Sequence, residues 1–369
     1  MRVGIVGGGQ LGRMLALAGH PLGITCITLD PAANSPAAQV GPAIVGAYDD
    51  EGSLAALAAA CDVATYEFEN VPAGAARSLA ARLPVHPGPD ALDVAQDRMA
   101  EKTLFREVGF GVAEFAQVDH LAGLERAIEV IGLPAVLKTR RFGYDGKGQA
   151  VINDRLLAED AWRAVGEMPS ILEALVPFDR ELSILGVRDR EGGAAFYPLV
   201  ENEHRDGILR VTIAPARGRT PELQERAEGY VSEIMGRLGY VGVLAVELFQ
   251  RGSHLLANEM APRVHNSGHW TIEGSPASQF ENHLRAVTGL PLGPTSTASH
   301  AAGMVNVIGS EPDLAGLLAA VPDAHVHLYG KEARPGRKLG HVTVLAEDDQ
   351  ALDEKLLQVK SFSSDVSPI

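Results

Sequence analysis

Two glutamates at the ends of apolar runs are the side chains in this sequence best spaced for chemistry: Glu247 after residues 240–246 and Glu259 after residues 255–257. The stretch Leu255-Leu256-Ala257-Asn258-Glu259-Met260-Ala261-Pro262-Arg263-Val264-His265-Asn266-Ser267-Gly268-His269-Trp270 enters like a strand, then mixes Arg, His, Asn, Ser and Gly. That is too polar for a core and too specific for a linker. If the two runs are antiparallel strands joined by a turn at residues 250–253, Glu247 and Glu259 face one another on one sheet face. Carboxylates so paired suit Mg²⁺, which takes its remaining ligands from water and phosphate oxygens. Asn258 can add another oxygen. The plainer alternative is a pair of solvated strand-end acids.

A second constellation lies upstream. Residues 132–138 read as a turn and a short strand ending on Lys138, and residues 142–149 as a glycine-rich hairpin loop, Phe142-Gly143-Tyr144-Asp145-Gly146-Lys147-Gly148-Gln149. Glycines let backbone N–H groups close over a polyphosphate while a lysine supplies a point charge. Such a flap would also shut out water once a nucleotide is bound. It is not a Walker A loop, because no G-K-S/T opens a helix; an exposed hairpin is the alternative. Residues 170–176 read as an edge strand offering backbone groups to an adenine, with Glu181 accepting from ribose hydroxyls. Residues 197–204 make a further strand with a polar end. The run from Lys331 to Lys338 carries Arg334 and Arg337 as well, stiffened by Pro335 and turned by Gly336. It suits a phosphate or carboxylate, or else is a solvated loop.

The elements that must position these groups begin with a strand at residues 2–6, the loop Gly7-Gly8-Gly9-Gln10-Leu11-Gly12 and a helix at 13–20. A second strand, 24–29, ends at Asp30. This is a G-x-G-x-x-G pattern in a strand–turn–helix setting, open to a dinucleotide, another phosphorylated ligand, or tight packing alone. Helix 52–60, strand 62–66 and helix 73–83 continue the alternation, predicting a parallel, doubly wound sheet with ligands at the carboxyl ends of its strands. Glu67 and Glu69 sit at such an end, where the alternative is solvent. His86-Pro87-Gly88-Pro89 is the first boundary, giving a domain at 1–90. A helix at 91–108 carries Asp97, Arg98 and Lys102 on what reads as a solvated face. A central domain then spans 91–298, with the flap subdomain near 110–175 and a helix at 221–238. Strands at 302–308, 325–329 and 342–345 and helices at 314–320 and after Asp348 form a small domain at 299–369. The fold class is α/β, α+β overall.

Composition narrows the partners. A length of 369 residues suggests two or three domains, and 46% apolar residues with mean hydropathy +0.03 describe a globular chain. No apolar run is of membrane-spanning length and no signal-peptide layout precedes the first strand, so the cytoplasm is expected. The net charge of −15 argues against non-specific nucleic-acid binding. Cys26 and Cys61 are too few for a disulfide framework or a cysteine metal site, and zinc is not expected from His265 and His269 in a Gly- and Asn-broken segment.

A glycine-loop first domain, a lysine-based flap and a Glu…Asn-Glu pair ahead of a basic loop resemble the ATP-grasp superfamily. Within it the chain is most similar to the 5-(carboxyamino)imidazole ribonucleotide synthase family, through residues 7–14, 143–149, 258–270 and 334–341. The resemblance implies a Rossmann-like pre-ATP-grasp domain, an ATP-grasp domain and a small C-terminal α/β domain. It implies an ATP-dependent carbon–nitrogen ligase of purine synthesis that carboxylates 5-aminoimidazole ribonucleotide with bicarbonate through carboxyphosphate, as a homodimer. It places Arg98, Lys138, Gly143, Tyr144, Asp145, Gly146, Lys147, Gly148 and Gln149 on the ATP phosphates, and Glu173, Ala174, Leu175 and Val176 along the adenine. Glu181, His204, Asn258 and Glu259 complete that nucleotide site, and Glu247 and Glu259 bind Mg²⁺ (or Mn²⁺). Arg263, His265 and Asn266 match a bicarbonate site; Tyr144, Asp145, Lys147, Lys331 and Arg337 match the ribonucleotide site, with Glu69 a further candidate. Rival readings are a formate-dependent glycinamide ribonucleotide transformylase, an NAD-dependent oxidoreductase and a non-catalytic nucleotide sensor.

Overall fold

Segments near the N-terminus, largely buried except at the edge strand Ala43–Val45, pair into a four-stranded parallel sheet in the order Ala43–Val45, Thr25–Asp30, Arg2–Val6, Val63–Tyr66. The computed structural model describes residues 1–143 and 146–362. Strand Val63–Tyr66 is buried at every position, as expected where both faces of a parallel sheet are covered. Helices Gln10–Gly19 and Glu51–Ala60 alternate with the strands, the second capped by Asp50, which accepts the Ser53 N–H at 2.7 Å. The alternation expected from sequence is present, and the bridge Ala64↔Val85 extends the pairing.

The expected helix at 91–108 is two helices, Pro89–Ala95 and Arg98–Glu107. Asp97 between them is extended (φ −125°, ψ 108°) and accepts the Met99 N–H at 3.0 Å. Short acids compete with the helix backbone in this way, so they start helices better than they continue them. Its carboxylate is clamped by Arg140 through Nε at 3.0 Å and Nη2 at 2.6 Å. The break puts Arg98 at the first helical position.

The flap subdomain is a four-stranded antiparallel sheet ordered Phe115–Val118, Ser170–Ala174, Ala135–Thr139, Gln149–Ile152. Helices Leu121–Ile131 and Ala158–Ala164 bury Leu124, Ile128 and Trp162 with Leu137 and Leu172. Each such aliphatic side chain contributes about 1.5–3 kcal/mol on full burial. Ser170–Ala174 lies between two strands, so it is not the expected edge.

The third sheet carries the site. Arg180–Arg188 lies between Val200–Arg205 and Gly242–Arg251, which in turn pairs with His254–Ala261. Thr220 caps helix Pro221–Arg237 beside it, accepting the Leu223 N–H at 3.2 Å. The C-terminal strands Ala301–Ile308, His325–Leu328 and Lys338–Ala346 join this same sheet, because Ile208–Ala214 pairs with Ala301–Ile308 at Val211↔Val305. The basic loop at 331–338 is thereby attached to the sheet that bears the two glutamates.

Candidate active site

Glu247 stands opposite Glu259 in the hairpin formed by Gly242–Arg251 and His254–Ala261. The register slips beside them: Leu248 faces Ala257, so Asn258 is an extra residue in a β-bulge, a device that re-aims side chains. The Asn258 Oδ1 is buried without a partner. Burial, then the charge of Glu259, push the Glu247 carboxyl up to about 7. Burial acts upward on Glu259 too, but Arg98, donating to its Oε2 at 3.0 Å, takes it below the ordinary range. Opposed carboxylates and an orphaned amide oxygen are a donor set for a hard divalent cation. Among the described residues no group of three or more His, Cys, Asp or Glu is set to hold a metal. A cation here would draw on water and phosphate oxygens for the rest of its shell.

Cations gather on one flank. Lys138 Nζ lies 3.0 Å and Lys102 Nζ 3.2 Å from the same Glu173 oxygen, and Lys102 and Glu173 are 1% and 3% exposed. Burial alone would raise the Glu173 carboxyl; Lys138 and Lys102 outweigh it and hold it at about 2. Glu173 is therefore locked between two lysines, one of them the expected phosphate lysine, Lys138. Past it, the Ala174 and Leu175 amides donate to Glu114 and Pro134, which leaves Val176 as the next hinge residue. The helix Arg98–Glu107 also departs from expectation, for its charged face points inward. Glu101 accepts the Met260 N–H at 2.6 Å and Lys102 reaches the Ala257 carbonyl at 3.4 Å. These side chains take over the strand edge where pairing with Gly111–Val112 ends at Ala257. Spacing of Arg98, Glu101 and Lys102 on one helical face was the available signal.

In the flap, the Thr139 N–H donates to Gly148 at 2.8 Å and Lys138 pairs with Gln149. Gly146 (φ 74°) and Gly148 (φ 70°) take the left-handed conformations that glycine permits, and Gly143 and Lys147 lie on the same loop. Tyr144 and Asp145, both expected at the ribonucleotide, lie outside the described residues.

On the other flank Arg263 donates from Nε to Glu69. Burial would raise Glu69, but the guanidinium holds it at about 2. Gln96 fixes the Glu69 and Val71 carbonyls at 2.8 and 2.7 Å. His265 Nε2 lies 3.4 Å from Glu247 Oε1; burial, then Arg263, drive its pKa down to about 3, so the imidazole is neutral. Both amide atoms of Asn266 are buried without partners. His204 Nδ1 sits 2.7 Å from Glu181; burial would lower its pKa, but the Glu181 hydrogen bond and Glu247 raise it. Gln279, which the sequence did not single out, holds the His265 N–H at 2.8 Å and its carbonyl at 2.7 Å.

The glycine loop settles one question. Glu67 accepts the Gly9 N–H at 2.6 Å and the Gly12 N–H at 2.8 Å, and Asp30 accepts the Gly8 N–H at 2.8 Å. The chain's own carboxylates thus occupy the amides that a pyrophosphate would need, and the dinucleotide alternative falls. Lys331 donates to Gln10 in the same loop. Burial, then Arg337 and its neighbours, lower the Lys331 ammonium to about 8, the signature of crowded cations. Arg337 itself donates to Glu332 within the basic loop at 3.1 Å.

An α/β domain, a glycine-flap sheet and a carboxylate-bearing antiparallel sheet together make an ATP-grasp protein. Family models agree: a ribonucleotide synthetase preATP-grasp domain matches residues 1–96, an ATP-grasp domain 103–280, and a phosphoribosylaminoimidazole carboxylase C-terminal domain 302–355. The N5-carboxyaminoimidazole ribonucleotide synthase of Pseudomonas aeruginosa is 48% identical over 98% of this chain and 99% of its own length. The crystal structure of N5-carboxyaminoimidazole ribonucleotide synthetase from Thermus thermophilus is 52% identical, with TM-score 0.95 over 100% of both chains. That of the Aspergillus clavatus synthase, in complex with ADP and 5-aminoimidazole ribonucleotide, is 32% identical, with TM-score 0.89 over 98% of each. The chain belongs to the N5-carboxyaminoimidazole ribonucleotide synthase family.

Proposed function

We propose that this chain joins bicarbonate to the exocyclic amine of 5-aminoimidazole ribonucleotide at the expense of ATP, giving the N5-carboxyamino product, ADP and phosphate. The observation that carries the reading is the Glu247–Glu259 pair flanked by Arg98 and Lys138 on one side and Arg263, His265 and Asn266 on the other.

Bicarbonate is a poor electrophile, and transfer of the terminal phosphoryl group of ATP to it creates carboxyphosphate. Arg98 and Lys138 hold the ATP phosphates, and the flap residues Gly143 to Gln149 close over them. The stretch from Glu173 to Val176 lies along the adenine, with Glu181 and His204 at the ribose. Glu247, Glu259 and Asn258 Oδ1 would hold Mg²⁺ or Mn²⁺, which supplies charge neutralisation across the transferring phosphoryl group. Arg263, already fixed by Glu69, presents paired N–H donors to bicarbonate, while the orphaned Asn266 amide offers a donor and an acceptor. Lys331 and Arg337 hold the ribonucleotide so that its amine meets the carboxyl carbon; the new C–N bond forms as the bond to phosphate breaks, and the departing phosphate takes up the proton that the amine loses. Exclusion of water keeps carboxyphosphate from hydrolysis.

The reading includes a cytoplasmic homodimer, for which the support is the family resemblance. No helix among the described residues is long and apolar enough to cross a membrane.

The test is ADP release from Mg-ATP with and without aminoimidazole ribonucleotide, at low and high bicarbonate, with label followed from bicarbonate into product. ADP release that needs both, with label incorporated, is expected; turnover driven by formate and glycinamide ribonucleotide would overturn the substrate assignment. Glu259→Gln should lower turnover by about a hundredfold or more with an unchanged circular dichroism spectrum, and near-normal turnover would remove Glu259 from the site.

A further inference from the structure

Behind His265 runs a buried file of polar side chains that touches no expected ligand. The Ser267 N–H donates to His265 Nδ1 at 3.3 Å, and Ser267 Oγ lies 2.9 Å from the same nitrogen. Ser267 Oγ is 2.7 Å from Ser183 Oγ, Ser183 Oγ is 3.0 Å from Asn202 Nδ2, and Asn202 Oδ1 is 2.9 Å from Thr212 Oγ1. Ser183, Ser267 and Thr212 are each 0% exposed. The four come from three strands and the turn after the Glu259 strand, so the sheet itself fixes their spacing.

One end of this file determines the rest. A backbone N–H can only donate, so the Ser267 N–H at 3.3 Å biases His265 Nδ1 toward the acceptor form, and the hydroxyl file completes the bias. The Ser267 hydroxyl then donates to Nδ1 as well, which obliges Ser267 Oγ to accept from the Ser183 hydroxyl. Ser183 Oγ in turn accepts from the Asn202 amide N–H, and the Asn202 carbonyl oxygen accepts from Thr212. Every hydroxyl in the file points toward the imidazole. In the neutral ring the single proton is left on Nε2, the nitrogen 3.4 Å from Glu247 Oε1.

We infer that Ser267, Ser183, Asn202 and Thr212 are positioning residues that lock His265 as the Nε2–H tautomer, making it a hydrogen-bond donor rather than a base at the bicarbonate site. The donor would serve the oxygen on which negative charge builds as bicarbonate is phosphorylated. Fixed donors aimed at developing charge are worth more than donors that must reorient. This rests on the function proposed above. It adds a constraint on the chemistry: His265 takes no proton from bicarbonate, whose hydroxyl proton stays on carboxyphosphate as the anionic oxygen attacks phosphorus.

The decisive measurement is the tautomer of His265 in the unmodified protein. A two-bond ¹H–¹⁵N spectrum of ¹⁵N-histidine-labelled protein, with His265 identified from the spectrum of His265→Gln, should show an unprotonated Nδ1 and a protonated Nε2. A protonated Nδ1 would overturn the inference. Ser183→Ala cuts the file, and Asn202→Asp reverses it by replacing the donor that faces Ser183 with an acceptor of the same shape. Both should reduce the share of the Nε2–H form and lower kcat/KM for bicarbonate by about 10- to 100-fold, the usual loss when an outer partner of a working side chain is removed. KM for Mg-ATP should hold. Unchanged bicarbonate kinetics in two folded variants would also refute it. If the unmodified protein shows no bicarbonate-dependent ADP release, the functional reading fails instead, while the tautomer pattern stands or falls separately.

Discussion

Replacing Glu173 by Gln keeps the shape of a side chain that is 3% exposed and removes the charge shared by Lys102 and Lys138. In the folded protein its carboxyl sits at about 2 against an ordinary 4.5, the lysines outweighing burial. The difference, about 2.5 units at 1.36 kcal/mol each, is about 3 kcal/mol, in line with the roughly 3–5 kcal/mol lost when one partner of a buried ion pair is removed. Glu173 is an acid with a depressed folded pKa, so its contribution is fully present above pH 4.5 and is lost as pH falls toward 2. Urea unfolding of both proteins at pH 7 should show the variant less stable by about 3 kcal/mol, with the gap narrowing below pH 4.5. Much of the loss falls on Lys102, which is left in the interior without its counter-charge. Adding Lys102→Met to Glu173→Gln should therefore recover part of the stability, a coupling that a double-mutant cycle measures. Lys138 would lose the group that aims it, and KM for Mg-ATP should rise. A variant within about 0.5 kcal/mol of the parent at pH 7, the range of an ordinary surface change, would refute this account of the buried charges.

The metal-free protein should gain stability from Glu247→Gln. Burial and Glu259 raise the Glu247 carboxyl to about 7, so its ionisation costs stability as pH rises from 4.5 through 7. The variant's thermal midpoint in chelator should exceed the parent's at pH 8 and converge with it near pH 4.5, whereas a lower midpoint at pH 8 would count against the paired-carboxylate account. Gly9→Ala tests the filled glycine loop, because an added Cβ would lie 2.4 Å from Glu67 Oε1. The clash should cost about 1–3 kcal/mol, read as a lower denaturant midpoint, and an unchanged midpoint would mean that Glu67 does not occupy the loop.

The motif-bearing segments announced themselves because their chemistry is local. The Glu247–Glu259 register follows from two apolar runs with a short turn between them, and the structure departs only by the bulge at Asn258. The structure differs from the expected helix at 91–108 in two ways, the break at Asp97 and the inward charged face. In both cases the partner is distant: Arg140 holds Asp97, and the strand edge at residues 257–260 receives Glu101 and Lys102. Propensity alone cannot anticipate a carboxylate stabilised by a strand far along the chain.

By itself the sequence determined the alternation of the first domain, the glycine flap with Lys138 at its base, the metal-suited pair and the family resemblance. Each depends on residue type at short spacing, which backbone periodicity turns directly into geometry. Only the tertiary structure decided that the glycine loop is filled by Glu67, that the Glu173 carboxylate serves two lysines, and that the C-terminal strands extend the sheet bearing Glu247 and Glu259. Those outcomes depend on which buried charge meets which partner across the fold. Leaving a charge unpaired in the interior costs several kcal/mol, and in the native packing Glu67, Glu173, Glu101 and Lys102 all find partners at once.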